Sequence, residues 1–404
     1  MPALDDALSL ISRDEIVELS KRLIRIPSVT GDEKQVILLA RDIIESLGVT
    51  TRLHGPEERP ILTATINPTA KRLLVFNGHL DTVPIASIDA WETDPYDPQV
   101  IGDTLTGRGS CDMKSSCAVM IHVIGIIKEV GLPLSVSLHL VPDEEKGATQ
   151  GTRLLLDEMS KGNLRRPDYV VIGEKSNLKL RIAERGGWGF KIRFKGRATH
   201  TAYARYEGIN AIAKASKGVI ALEKPIDKWH PWIGAPVISV NSIQAGTAGN
   251  QVPDECVIGV DRRLIPGESA DTVASEVKHV LDEAGSGDSD WRWEIDAPRD
   301  SAGKWIYNPA NYTDPDSELG KALKTVIRTA LRREPELFVE WAGGTDGAYY
   351  RKAGIQTIGF GPAGEHAHGP NELVYVKTLV SQARVYLALA YCLNEQMVHT
   401  ASCI

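Results

Sequence analysis

The sequence predicts an α/β protein whose main domain holds a mostly parallel sheet and is interrupted by an inserted α+β domain of ferredoxin-like order. Three observations predict it. Compact apolar runs at 73–76, 134–141 and 169–172 alternate with helical patterns near 113–129 and 149–160, the rhythm of βαβ units. From about residue 187 to 296 that rhythm gives way to strand, helix, strand, strand, helix, strand. Beyond the polar stretches 286–290 and 298–303 the α/β alternation returns. The expected division is 1–183 for the first part of the main domain, 184–296 for the insert and 297–404 for the second part.

The elements follow in order. Ser12-Arg-Asp-Glu15 has the form of a capping box ahead of Ile16, Leu19, Leu23 and Ile24, and Pro27 stops that helix. Val36, Ile37, Ala40, Ile43, Ile44 and Leu47 make a second stripe, closed by Gly48 at the position where a left-handed residue ends a helix. The three runs are compact and apolar, of the kind found in sheets covered on both faces. Within the insert, helices are expected at 209–222 and 268–284 and strands at 236–243, 255–263 and 290–296. A helix at 316–332, a glycine-rich loop at 343–347 and a last helix at about 377–397 complete the chain.

Composition narrows the function. With 42% hydrophobic and 25% charged residues the 404-residue chain is neither disordered nor fibrous. Its formal net charge of −7 and the lack of any basic run exclude a nucleic-acid footprint. The opening residues carry acids where a signal peptide would be basic, and the longest apolar run, 117–127, is too short to span a bilayer. Five cysteines without a CxxC pair read as reduced, mostly buried side chains. A soluble cytoplasmic protein is expected, acting on a small molecule, with no nucleic acid and no membrane.

The chemistry lies where acids and histidines fall. The run 73–76 leads into Asn77-Gly-His79-Leu-Asp81, 134–141 into Pro142-Asp-Glu144-Glu145, and 169–172 into Gly173-Glu174. The carboxyl ends of strands in an open α/β sheet line one crevice, so these distant segments should meet. Asp112 sits in Gly107-Arg-Gly-Ser-Cys-Asp-Met-Lys114, a loop leading into a helix, and Glu365-His-Ala-His368-Gly-Pro-Asn-Glu372 lies near the C-terminus. Histidines and carboxylates without cysteine suit two divalent ions, Zn²⁺ first and Co²⁺ or Mn²⁺ as alternatives. Asp81 is placed to take the second imidazole N–H of His79. Glu144 and Glu145, adjacent on extended backbone, would point opposite ways, one to a metal and one to substrate as general base.

Taken in order, these five motifs resemble the co-catalytic dinuclear zinc family of aminoacylases, acetylornithine deacetylases, succinyl-diaminopimelate desuccinylases and glutamate carboxypeptidases, from about residue 10 to 395. The resemblance implies a zinc-exopeptidase-like main domain with a lid and dimerisation insert. It implies that His79 and Glu174 bind one metal, Glu145 and His368 the other, with Asp112 shared, Glu144 the base and Asp81 a further catalytic residue. His200, in Gly196-Arg-Ala-Thr-His200, resembles the lid histidine that stabilises the oxyanion, often across a subunit boundary. Asn250 and Arg263 match substrate-carboxylate binders, and Gly344 and Thr345 lie in what looks like the substrate loop. A homodimer through the insert follows, and the insert's own pattern agrees, since two helices cover only one face of four strands.

Each assignment has a plainer competitor. His79 alone could be a satisfied strand-end histidine, and an acidic pair is usually a solvated turn; their common position at strand exits favours function. His366 competes with His368, and the spacing to Asn371-Glu372 favours His368. A strand arginine such as Arg263 is often a surface ion pair. Lys114 reads as a surface charge at a helix start. His54, His122 and His139 read as structural or exposed, and Trp229, Trp232, Trp291 and Trp293 as insert core or dimer interface. The expected reaction is hydrolysis of the amide bond of an N-acyl amino acid or short peptide by a metal-bridging water. One alternative keeps the site and hydrolyses another C–N bond, as in deamination of an aromatic amine; a non-catalytic binding protein is the other.

Overall fold

The computed structural model describes residues 2–339 and 343–401, with side chains through 394. Two compact units emerge. The first comprises Met1–Ile182, Thr313–Phe338 and Thr345–Ile404, and the second Ala183–Tyr312 with Val339–Gly344. Among the described residues no helix is long and apolar enough to cross a membrane.

The first unit is built on a six-stranded sheet. From one edge to the other its strands are Thr51–His54, Ile61–Ile66, Ser135–Val141, Leu73–His79, Tyr169–Ile172 and Gln356–Gly359. The last four run parallel, and Ile61–Ile66 runs antiparallel to both its neighbours. Leu73–His79 and Ser135–Val141 are buried at every position, as expected for central strands covered on both faces. Register sets the site. His79 pairs with Val141 and Asn77 with Ile172, so residues leaving these three strands emerge at one level.

Helices Arg13–Ile24, Lys114–Glu129 and Val376–Ala401 pack together in this unit. Ser12 caps the first as expected, its hydroxyl accepting the Glu15 N–H at 3.2 Å. The reciprocal half of the box is replaced: the Ser12 N–H goes to His122 Nε2 at 3.1 Å, and the Glu15 carboxylate lies 3.2 Å from His122 Nδ1. Gly48 ends the helix Lys34–Ser46 with φ of 73°. Leu4–Ser9 is an additional short helix that the apolar pattern did not reveal. Cys111, Cys117 and Cys256 are buried and unbridged, Cys392 is partly buried, and Cys403 lies outside the described residues.

The second unit holds a four-stranded antiparallel sheet in the order Val237–Ala245, Glu255–Leu264, Gly186–Lys195, Trp293–Asp296. With helices Ala211–Leu222 and Ala270–Ala284 between the strands in sequence, this is the ferredoxin-like arrangement. Both helices bury their apolar stripes against one sheet face, around Phe194, Ile258, Val273 and Leu281. Trp291 joins that core and Trp293 flanks it, whereas Trp229 is 73% exposed. The unit continues past the expected boundary at 296. Gly187 and Asn308 exchange backbone hydrogen bonds of 2.8 and 2.9 Å, and Trp305 packs on Trp188 with centroids 5.5 Å apart. The polar stretch near 298–303 is therefore a turn within the unit rather than its end. The longer excursion, Ala183–Tyr312, leaves and re-enters the first unit at one place, where the Thr313 N–H donates to the Ile182 carbonyl at 2.8 Å.

Candidate metal centre

His79 is the last residue of its strand and is 1% exposed. Gly78 before it and Gly173 before Glu174 let the start of helix Lys114–Glu129 press against both strand ends. A Cβ at Gly78 would stand 2.7 Å from Met113 Cε, and one at Gly173 would stand 2.4 Å from Ser116 Oγ. Asp112, just ahead of that helix, is thereby brought to His79.

The contacts converge on Asp112. Its Oδ1 lies 3.1 Å from His79 Nε2 and its Oδ2 lies 3.1 Å from His368 Nε2. Glu174 Oε1 is 3.3 Å from the same His79 nitrogen, and Glu145 Oε1 is 2.9 Å from the same His368 nitrogen. These are hydrogen-bonding distances, and they also come near the ~3.3 Å that separates donors on a common tetrahedral ion, each ~2.0–2.1 Å from it. Ligand atoms of His79, Glu144 and Glu174 lie within 4.8 Å of one another, as do those of His79, Asp112 and Glu145. His366 is exposed, its Nε2 3.7 Å from the neighbouring Glu365 carboxylate.

Electrostatics points to cations. Burial, with Asp112 facing it, pushes the Glu174 carboxyl above its ordinary range. Burial also pushes Glu144 well above that range, helped by Glu174, Asp346 and Asp112. Asp112 and Glu145 raise the His368 imidazole to about 10. Glu174, Glu144 and His368 thus gain proton affinity, while His368 and His79 hold Asp112 below the ordinary carboxylate range despite its burial. Divalent ions in place of those imidazole protons would balance the buried carboxylates.

The Glu144-Glu145 pair is held differently from the sequence expectation. Asp143 is left-handed, with φ of 70°, and Glu144–Lys146 form a turn of 3₁₀ helix rather than extended backbone. Asp81 holds this turn: its Oδ1 accepts the Glu144 N–H at 3.1 Å and its Oδ2 the Glu145 N–H at 3.2 Å. Thr30 Oγ1 donates to the same carboxylate at 2.9 Å. His79 Nδ1 is nearer the Asp81 carbonyl oxygen, at 2.9 Å, than the carboxylate, at 3.4 Å. Asp81 thus fixes the imidazole through its main chain and the two glutamates through its side chain. Leaving such buried N–H groups without an acceptor costs about 1–3 kcal/mol each.

Sequence reasoning missed several buried polar residues around this cluster. Lys114 is fully buried, not a surface charge: its stem lies along Gly109, and its ammonium donates to the Leu23 and Ile26 carbonyls at 3.0 and 2.6 Å, where helix Arg13–Ile24 ends. Burial lowers its pKa to about 7. Asp346, 2% exposed, accepts a hydrogen bond from Thr152 Oγ1 at 2.8 Å, and burial pushes its carboxyl up to about 7. The acid at the end of Gly-Gly-Thr-Asp was the one available signal. Thr345 beside it is buried, its hydroxyl accepting the Gly347 N–H at 3.1 Å. His139 is buried against the Tyr350 hydroxyl at 2.8 Å, and His54 against Thr63 at 2.8 Å.

The remaining candidates belong to the second unit. His200 is exposed, with Nδ1 accepting the Ala202 N–H at 3.2 Å, and the Thr201 N–H donates to the Asn250 carbonyl at 3.0 Å, so these two segments are neighbours. Arg263 is on the solvent face of its strand, paired with Asp261 at 2.7 Å, which is the surface ion pair of the plainer reading. Gly344 is exposed.

The chain is similar to known proteins in sequence and in fold. The sequence profile described as Peptidase family M20/M25/M40 matches residues 75–391. A succinyl-diaminopimelate desuccinylase from Polynucleobacter necessarius is 26% identical over 387 residues, covering 92% of this chain and 97% of that protein. One from Bordetella parapertussis is 28% identical over 382 residues, covering 92% and 96%. Among solved structures, aminopeptidase PepT from Bacillus cereus superposes with a TM-score of 0.75 at 18% identity, covering 95% and 99% of the two chains. A Staphylococcus aureus tripeptidase gives 0.73 at 19% identity, covering 96% and 100%.

Proposed function

Because the chain belongs to peptidase family M20/M25/M40, a group of metal-dependent hydrolases, we propose that it cleaves the amide bond of a small carboxylate-bearing substrate, an N-acyl amino acid or short peptide. The observation that carries this reading is the position of Asp112 between two histidines, each of which faces its own glutamate.

In this reading His79 and Glu174 hold one divalent ion, His368 and Glu145 a second, and Asp112 both. Zinc is the first choice for such a nitrogen and oxygen set, with cobalt or manganese able to substitute. When bound, two such ions acidify a water and polarise the carbonyl under attack. Glu144 takes the proton of the attacking water and returns it to the departing nitrogen. Its raised proton affinity suits a group that must do both. Asp81 keeps Glu144 and Glu145 in their separate roles by gripping the turn that carries them.

His200 stabilises the oxyanion, contributed by a second copy of the chain, and Asn250, Arg263, Gly344 and Thr345 receive the substrate and its carboxylate. Arg263 would exchange Asp261 for that carboxylate. Pairing of two copies through the insert is supported by its open edge strand Val237–Ala245, where Val237 and Ile243 are 46% and 53% exposed. A cytoplasmic location fits the unbridged cysteines.

The test is a hydrolysis screen of N-acetyl, N-succinyl and N-carbamoyl amino acids, dipeptides and aminobenzoates, with Zn²⁺, Co²⁺ and Mn²⁺ each supplied. Release of free amino acid supports the amide reading, and release of ammonia from an aromatic amine replaces it with deamination. Full activity in protein shown by elemental analysis to be metal-free would overturn both.

A further inference from the structure

The segment 107–113 leaves the strand Thr104–Thr106 and carries Asp112, yet it belongs to no helix or sheet. Its N–H groups therefore need acceptors from elsewhere. One side chain meets three of them. Glu372 Oε1 accepts the N–H of Cys111 at 2.9 Å and of Asp112 at 3.0 Å, while Oε2 accepts the N–H of Gly109 at 2.9 Å. Oε2 also takes Arg108 Nη1 at 2.8 Å. Glu372 is fully buried and Arg108 is 2% exposed. The guanidinium goes further, with Nη2 3.3 Å from the carbonyl oxygen of His368.

We propose that Glu372, braced by Arg108, is a positioning residue that sets the Asp112 carboxylate between the two histidines and couples its loop to the turn bearing His368. The backbone ladder already joins these regions farther out, where Leu373 pairs with Thr106 and Val374 with Leu105. That ladder stops before residue 109. From there to Asp112 the loop is held by the Glu372 carboxylate, so its two oxygens fix the direction in which the Asp112 side chain leaves. Glutamine in its place would turn an N–H₂ toward two N–H donors, and the loop would have to move. The inference rests on the metal-binding reading of Asp112 given above.

The test compares the parent enzyme with Glu372→Gln, alone and combined with Asp112→Asn. Chelator-stripped protein is titrated with Zn²⁺, and the absorption spectrum of the Co²⁺-loaded protein is recorded. Glu372→Gln should weaken binding of at least one ion about 10–100-fold and alter the cobalt bands. The value of kcat should fall over the same range with KM little changed. In the Asp112→Asn background the same change should cost less than about 3-fold, because groups acting through one another are not additive. Parental zinc affinity and cobalt bands in Glu372→Gln, or losses that simply multiply in the double variant, would overturn the proposal. Should Glu372→Gln fail to fold, Arg108→Gln, which leaves the three N–H contacts, takes its place: a weaker loss of zinc affinity supports the proposal, and parental affinity with unchanged cobalt bands overturns it. If the parent itself binds no ion, the metal reading fails instead.

Discussion

Asp112 and His368, far apart in the chain, meet at 3.1 Å, and the second oxygen of the same carboxylate is 3.1 Å from His79. Asp112→Asn should therefore disturb both metal positions at once. Elemental analysis should find fewer than two ions per chain, where the parent holds two. His368→Ala should also deplete one ion, whereas His366→Ala, changing an exposed side chain beside Glu365, should leave metal content and kcat within about 2-fold.

Glu144 and Glu145 share one turn but should give opposite phenotypes. Glu144→Ala should keep its metal and lose on the order of 10²–10⁴ in kcat, the usual worth of a positioned base. Glu145→Ala should lose metal first and activity as a consequence. Measured together, metal content and kcat would expose a reversed assignment.

His139 gives the fold an acid-sensitive point. Burial lowers its pKa to about 3, so it stays neutral in the folded protein while an unfolded chain protonates it near 6.5. Between those values the unfolded state binds more protons, so stability is full above about pH 6.5 and lost as pH falls toward 3. The slope from this group is about 1.4 kcal/mol per pH unit. Denaturant unfolding at pH 6.5 and pH 5 should show His139→Asn losing less stability across the interval than the parent. An equal loss would mean the group titrates normally.

Assembly can be tested by mixing. If His200 serves a partner's site, inactive Glu144→Ala and inactive His200→Ala proteins should recover activity on subunit exchange. Random pairing would leave about one quarter of the sites intact. Absence of recovery after verified exchange would put His200 in its own chain's site or in none.

Much of the cluster was legible because apolar strands end where His79, Glu145 and Glu174 begin, and a parallel sheet delivers its strand ends to one level. The sheet register realises that geometry, with His79 opposite Val141. Four things were not legible. A left-handed Asp143 replaces extended backbone with a turn, so alternation could not describe how Glu144 and Glu145 diverge. Lys114 looked like any charge at a helix start, and only the folded chain shows the carbonyls of Leu23 and Ile26 waiting for it. Glu372 and Asp346 act through loop backbone and a threonine, partners with no sequence period. The boundary expected at 296 followed a polar composition, while the unit continues because Asn308 pairs with Gly187.

The hydrogen bond from Thr313 to Ile182 has an evolutionary consequence. An insertion whose two ends are already in contact asks nothing of the host sheet, because the host needs only a short bridge there. Closing a longer excursion costs little more than closing a brief one, since the entropy rises only with the logarithm of length. The ferredoxin-like unit is therefore a module that an ancestral α/β hydrolase could acquire, exchange or shed at this junction. Lineages of the fold could then diverge in this unit while the strand ends that carry His79, Glu145 and Glu174 stay in place.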